Sequence, residues 1–196
     1  MTEMDREDER SLVARLRAAD TAAFDNVYDA YRARVFAFLL RMSRSRPVAE
    51  DLLSETWMRL VRHARTLRDD TRIGPWLFTV ARNLYWSHRR ALLVEENWAP
   101  ELLGLWPSTP SWPSPFDLAA AGELERRIEV ALSMLQPHYR ETLLLMVNEG
   151  LTPAEAAVVC EISSEAMRQR LSRARAALAE LLNLTESRPV DGRYGT

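Results

Sequence analysis

The chain has 196 residues, 47 % hydrophobic and 28 % charged, the balance of a folded protein of one or two small domains. Its longest unbroken apolar run, Val35-Phe36-Ala37-Phe38-Leu39-Leu40, is far shorter than the roughly 20 residues a membrane span needs. A single cysteine, Cys160, excludes an internal disulfide and a cysteine-built zinc site.

The opening MTEMDREDER is acidic and holds no apolar stretch, so no secretory leader is expected. These features predict a cytoplasmic protein without membrane insertion. The net charge of −2 conceals a partition: residues 1–29 sum to −4, 30–92 to +8, 93–165 to −9 and 166–196 to +3. Two basic blocks suggest two contacts with a polyanion, although solvated helix faces give the same pattern. All 26 basic residues are arginine. Arginine suits phosphate and guanine recognition, but genome base composition also explains the bias.

Apolar residues recur at helical spacing throughout, and the fold expected is all-α. A short helix is predicted around Ser11–Ala18, after a disordered stretch 1–10. Asp20 or Thr21 can cap a long helix whose stripe is Phe24, Val27, Tyr28, Tyr31, Val35, Phe38, Leu39 and Met42. Pro47 can open the next helix, with Val48, Leu52, Leu53, Trp57, Leu60, Val61 and Ala64 inward. A polar stretch, 65–74, follows. Pro75 then opens a helix carrying Trp76, Leu77, Val80, Ala81 and Leu84 and ending in His88-Arg89-Arg90.

Residues 96–122 contain five of the ten prolines and three of the six tryptophans, Trp98, Trp106 and Trp112. Proline at that density excludes a continuous helix, so 96–121 reads as a linker. Tryptophans are costly to leave in water, so these are expected to dock on a domain or a partner, or to cover an exposed edge.

Helical spacing resumes at Leu124, Ile128, Ala131, Leu132 and Leu135, and Pro137 opens another helix that ends at Gly150. Thr152-Pro153-Ala154-Glu155 is a capping box with proline at the first helical position. The short helix it opens yields at Cys160-Glu161-Ile162 to Ser163-Ser164, a second cap. A longer helix follows with Met167, Leu171, Ala174, Leu178 and Leu182 inward, and the tail 185–196 reads as disordered.

Short helix, tight turn and second helix with a basic outer face form a helix-turn-helix, whose second helix enters the DNA major groove. Arg168, Gln169, Ser172, Arg173 and Arg175 face outward or flank the apolar stripe. Arginine can read guanine there, and glutamine adenine. A generic helical hairpin with a basic solvent face has the same outline. The other basic block mixes Arg82, Asn83, Tyr85, Trp86, His88, Arg89 and Arg90, a combination suited to single-stranded nucleic acid. Trp76 belongs to the apolar stripe.

No catalytic site is legible. The sequence holds no Gly-rich phosphate loop, no HExxH and no GxSxG. His63, His88 and His138 lack ligand spacing, so no metal or other cofactor is expected. Cys160 reads as a small core residue.

These segments resemble the extracytoplasmic-function (ECF) sigma factors, the two-domain initiation subunits of bacterial RNA polymerase. The resemblance spans 11–92 and 122–183 and rests on four segments: 23–36, 48–56, 75–90 and 135–175. It implies a region 2 domain over 11–95 and a region 4 domain over 122–184. Val48-Ala49-Glu50-Asp51-Leu52-Leu53-Ser54-Glu55-Thr56 resembles the segment that grips the largest subunit of core polymerase. Contacts with core, its beta and beta-prime subunits, are thereby implied for Glu50, Asp51, Leu52, Ser54 and Glu55. Pro75–Leu84 with His88-Arg89-Arg90 resembles the segment that melts and reads the −10 element as single-stranded DNA. Arg65, Arg68, Arg72, Arg82, Asn83, Trp86, His88, Arg89 and Arg90 would contact it, and the 65–74 loop would capture a flipped base.

The last segment resembles region 4, which reads the −35 duplex. Thr152, Ser164, Arg168, Gln169, Arg170, Ser172, Arg173 and Arg175 are its implied contacts. The family often has glycine where this chain has Glu161, Gly-Thr where it has Glu165-Ala166, and proline where it has Gln136. The linker, with Glu95, Glu96, Glu101 and Asp117, would run through the core enzyme's channels and mimic RNA. An anti-sigma factor is an implied partner. Two rival readings are a helix-turn-helix regulator acting without polymerase and a sigma-like decoy that binds a regulator.

Overall fold

The computed structural model describes residues 6–98 and 122–186, and every element in them is helical. Helix α1 (Arg6–Arg17) leads into α2 (Thr21–Ser43), α3 (Arg46–His63) and α4 (Ile73–Trp98). After the segment 99–121 come α5 (Glu123–Met134), α6 (Pro137–Leu143), α7 (Pro153–Cys160) and α8 (Ser164–Glu186).

Local chemistry sets the helix ends. The Asp20 carboxylate accepts from the amides of Ala22 at 2.9 Å and Ala23 at 3.3 Å, opening α2. Arg15 also donates to Asp20 at 2.7 Å, and that pairing above all holds its pKa below the usual value. Pro47 lies in the first turn of α3, where its missing N–H is no loss. Thr152 and Glu155 form the expected capping box, with Thr152 N donating to Glu155 Oε2 at 2.8 Å and Glu155 N to Thr152 Oγ1 at 3.3 Å. The Ser163 hydroxyl accepts from Ala166 N at 3.1 Å and caps α8.

Three boundaries differ from expectation. Residues 6–10, predicted disordered, belong to α1, because Glu9 is buried and accepts from Ile73 N at 3.0 Å, capping α4. Helix α4 does not stop at Arg90 but runs to Trp98, so the first residues assigned to the linker are helical. Likewise α8 extends to Glu186, inside the predicted tail. Trp106, Trp112, Glu101 and Asp117 lie outside the described residues.

The larger buried cluster runs from Val13 through Phe38, Phe78 and Leu84 to Leu145, Val159 and Met167. Phe38 and Phe78 meet edge to face at 5.5 Å inside it. A second cluster, Leu135, Leu143 and Ala174, joins α5, α6 and α8. The first cluster includes residues from both halves of the chain, so the halves pack on one another. Helix α4 lies directly against α7.

Candidate nucleic-acid interface

Helices α7 and α8 form the helix-turn-helix. Between them Glu161 adopts φ 56°, ψ 42°, a left-handed conformation that glycine enters without steric cost. Its amide donates to Val158 O at 3.2 Å, and Ile162 N to Ala157 O at 3.0 Å. These bonds satisfy the last carbonyls of α7 and turn the chain sharply into α8.

On α8, Met167 and Ala174 are fully buried, while Arg168, Gln169, Ser172, Arg173 and Arg175 are exposed. Apolar anchors thereby aim a polar face at solvent, as a recognition helix requires. Arg168 and Gln169 both donate to Glu165 in the first turn, at 2.5 and 3.2 Å. The Arg168 hydrogen bond, then that of Gln169, lowers the Glu165 pKa. Glu165 thus preorders two side chains expected to face DNA. Arg170 differs from its neighbours: it turns inward and lies 3.8 Å from Glu141. Thr152 spends its hydroxyl on the capping box, and Ser164 is half-buried at the start of α8.

The acidic segment of α3 splits by helical phase. Glu50, Asp51 and Ser54 are exposed and Glu55 is half-buried. Leu52 is 8 % exposed and packs in the core, so it supports this surface from beneath instead of presenting a contact. Glu50 pairs with Arg46 at 2.9 Å, and Glu55 with Arg59 at 3.2 Å. These exposed i,i+4 pairs are weak and readily exchanged for a partner's charges.

The basic block divides in two. Arg65, Arg68 and Arg90 are exposed. Arg68 makes a forked contact with Asp70 at 3.0 and 3.1 Å beside a loop anchored by buried Leu67. Arg89 lies over the Trp86 ring at 5.7 Å and donates to the Tyr85 hydroxyl at 3.2 Å, while Tyr85 itself is core. His88 is half-buried between them in sequence, on the same helix.

Arg72, Arg82, Asn83 and Trp86 instead contact the second half of the chain. Arg82 Nε donates to Glu141 at 3.0 Å, and the Trp86 indole N–H to the same oxygen at 2.8 Å. Glu141 is 1 % exposed. Its other oxygen accepts from the Cys160 thiol at 3.5 Å. Burial first, and then the Glu141 charge, pushes the Cys160 thiol up to about 12. Arg72 pairs with Glu155, and Asn83 approaches Glu161 at 3.5 Å. Further along the seam, Arg34 pairs with Glu149 at 2.8 Å and Arg41 with Glu129 at 2.6 Å.

Every cation in these four pairs comes from the +8 block and every anion from the −9 block. Sequence reasoning missed Glu141, Glu149 and Arg34 as interface residues. The opposed charge of the two blocks was the signal that could have found them. Among the described residues, no group of three His, Cys, Asp or Glu side chains converges as a metal site would require.

Two family models match the chain: sigma-70 region 2 over residues 27–92 and sigma-70 region 4 over 125–178. The ECF RNA polymerase sigma factor SigM of Bacillus subtilis is 34 % identical over 160 residues, covering 81 % of this chain and 94 % of that protein. This chain belongs to the ECF sigma factors. The RNA polymerase sigma factor CarQ of Myxococcus xanthus is 33 % identical over 172 residues, 88 % of this chain and 96 % of its own.

Among solved structures, the sigma factor RpoE in complex with the anti-sigma factor NepR from Bartonella quintana superposes with a TM-score of 0.67 at 26 % identity, covering 82 % of this chain and 96 % of that one. CnrH, in complex with the cytosolic domain of CnrY, shares the fold with a TM-score of 0.66 at 20 % identity, covering 90 % and 97 %. As an ECF sigma factor the chain is a transcription initiation factor that directs polymerase to promoters. The region 2 match runs from within α2 to within α4, and the region 4 match from within α5 to within α8. No described helix is long and apolar enough to cross a membrane.

Proposed function

We propose that the three surfaces divide promoter recognition among them. The exposed face of α3, with Glu50, Asp51, Ser54 and Glu55, binds core polymerase. Arg65, Arg68, Arg72, Arg82, Asn83, Trp86, His88, Arg89 and Arg90 handle the single-stranded −10 element, where rings stack on bases and guanidinium groups track phosphates. Arg168, Gln169, Ser172, Arg173 and Arg175 read the −35 duplex. Arg170 contributes there only after it leaves Glu141. The protein acts in the cytoplasm, uses no cofactor and performs no covalent chemistry of its own; the polymerase does that. Its regulator is an anti-sigma factor, as in the complexes described for its structural neighbours.

The observation that carries this reading is the outward row of polar side chains on α8, anchored by buried Met167 and Ala174. A regulator acting without polymerase would use that row alone. Asp51→Arg separates the two: core binding is expected to be lost while duplex binding by α8 persists. Unchanged affinity for core would refute the α3 assignment. Arg173→Ala is expected to weaken −35-dependent initiation by about 1–3 kcal/mol. An unchanged promoter profile would assign that base to another residue.

A further inference from the structure

Beyond the short turn Ala64–Thr66, the 65–74 loop has no helix of its own until α4 opens at Ile73. A loop that receives a flipped base gains from being held in the receiving form beforehand, because ordering it on binding costs conformational entropy. This loop is held at four places. Leu67 is buried in the larger core cluster. Asp69 pairs with Arg17 of α1. Ile73 N donates to Glu9 Oε1 at 3.0 Å, and Arg72 Nε to Glu9 Oε2 at 3.2 Å. At Gly74 an added methyl group would stand 2.9 Å from the Tyr31 hydroxyl, so the end of the loop runs flush against α2.

Two of these anchors come from α1, which lies outside the region 2 match that begins at residue 27. Val13 and Leu16 are fully buried, and Glu9 stands about one helical turn before Val13. The helix phase that buries the two apolar residues therefore carries the carboxylate inward with them. Capping α4 would need only one carboxylate oxygen. The other is spent on Arg72, a side chain of the loop itself. Between the anchors, Arg68, Asp69 and Asp70 are exposed, and Thr71 N donates to Arg68 O at 3.0 Å to close a turn. Beside that turn lies a hollow of about 240 Å³, with Glu9 and Arg10 of α1 on one side and Asp69–Arg72 on the other.

We infer that Glu9 is a positioning residue for base capture. From α1 it fixes the end of the 65–74 loop nearest α4, and with Arg17 it holds the exposed turn 68–71 in the form that receives the flipped −10 base. Glu9 touches no DNA; it acts through Ile73 and Arg72. Arg17 is the lesser tether, because its pair with Asp69 is open to solvent. The inference rests on the assignment of the 65–74 loop to the −10 element.

The test uses the full-length protein with core polymerase on one promoter whose start site has been mapped. Each −10 and −35 base is replaced in turn, and discrimination is read as the ratio of initiation on the original promoter to that on the altered one. Glu9→Ala is expected to lower discrimination at least about five-fold at one −10 position, the scale of a single lost base contact. Discrimination at −35 and affinity for core should not change. Arg17→Ala should cause a smaller loss at the same −10 position, and Arg17→Lys should recover it.

A structural role alone would reduce initiation on every template by the same factor and leave each ratio intact. Unchanged ratios in Glu9→Ala, or equal losses at −10 and −35, therefore overturn the inference. Glu9→Gln keeps an acceptor for the Ile73 amide but loses the charge on Arg72, and it carries the same test should Glu9→Ala fold poorly. Arg68→Ala with Asp70→Ala alters the turn itself. Lost −10 discrimination there, with none lost in the Glu9 and Arg17 variants, refutes positioning by α1 alone. Unchanged discrimination there would remove the loop assignment, and the inference with it.

Discussion

The Arg140 guanidinium donates to the carbonyl oxygens of Arg41 at 3.3 Å and Met42 at 3.4 Å, from the first turns of α6 to the last turn of α2. The same side chain reaches Leu132 O at 2.8 Å and Ser133 O at 2.5 Å in the last turn of α5, and Leu135 O at 3.0 Å just past it. One buried cation therefore closes two helix C-termini, one in each region. Unpaired carbonyls and the negative end of each helix dipole both favour it. Burial lowers its pKa from the ordinary arginine value, but arginine stays charged at any physiological pH.

Arg140→Met is expected to destabilise the chain by roughly 3 kcal/mol, because several buried carbonyls lose their donor at once. Arg140→Lys should recover little, since an ammonium lacks the planar fork that spans two helix ends. Urea midpoints of the three proteins check this. A loss within experimental error of zero would contradict the clasp.

Glu161 holds a left-handed backbone conformation at the turn of the helix-turn-helix. Such a conformation costs a non-glycine L-residue roughly 1–2 kcal/mol. Glu161→Gly is therefore expected to raise stability by up to about 1 kcal/mol, net of the greater unfolded-state freedom of glycine. Thermal unfolding measures it. Equal or lower stability would show that the Asn83 contact outweighs the relieved strain.

Acid should loosen the contact between α7 and the start of α4. Desolvation raises the Glu155 pKa, but the Thr152 hydroxyl and amide and the Arg72 guanidinium outweigh it, leaving the value lowered. A lowered folded value means the carboxylate stabilises the fold above the usual glutamate pKa of ~4.3, and that this is lost as pH falls through the folded value. Glu155→Gln keeps a neutral capping acceptor. Wild type should exceed Glu155→Gln in urea midpoint at neutral pH, and the gap should close under acid. A gap that does not depend on pH would contradict the assignment.

Cys160 offers a chemical readout of the same seam. With its thiol pushed up to about 12 and 3 % exposed, it should resist alkylation at mildly alkaline pH. Iodoacetamide labelling should accelerate in Arg82→Ala, which removes a guanidinium facing Glu141 and weakens the seam. Fast labelling of the wild type would show that the region opens readily on its own.

Most helix starts were legible because their signals are local. The Thr152–Glu155 box, Pro47, Pro137 and Ser163 each act within one turn, and all stand where the spacing predicts. The α8 face was legible for the same reason: Met167, Leu171 and Ala174 fix its phase. Other features depend on residues distant in the chain. Glu9 looks like part of a solvated acidic terminus until α4 supplies the amide it caps. Arg140 and Glu141 look like surface charges on a short helix, and only the packing of α2 and α4 against it makes them buried partners. The basic block pointed to a polyanion, but Arg82 is paired with a single carboxylate of the same chain, Glu141.

The most direct test is run-off transcription from fragmented genomic DNA, with core polymerase alone and with this protein added, followed by mapping of transcript 5′ ends. We expect new start sites that share paired motifs near −35 and −10, and their disappearance when Asp51→Arg replaces the wild type. Verified binding to core without any new start sites would contradict promoter direction and favour a decoy that occupies a regulator.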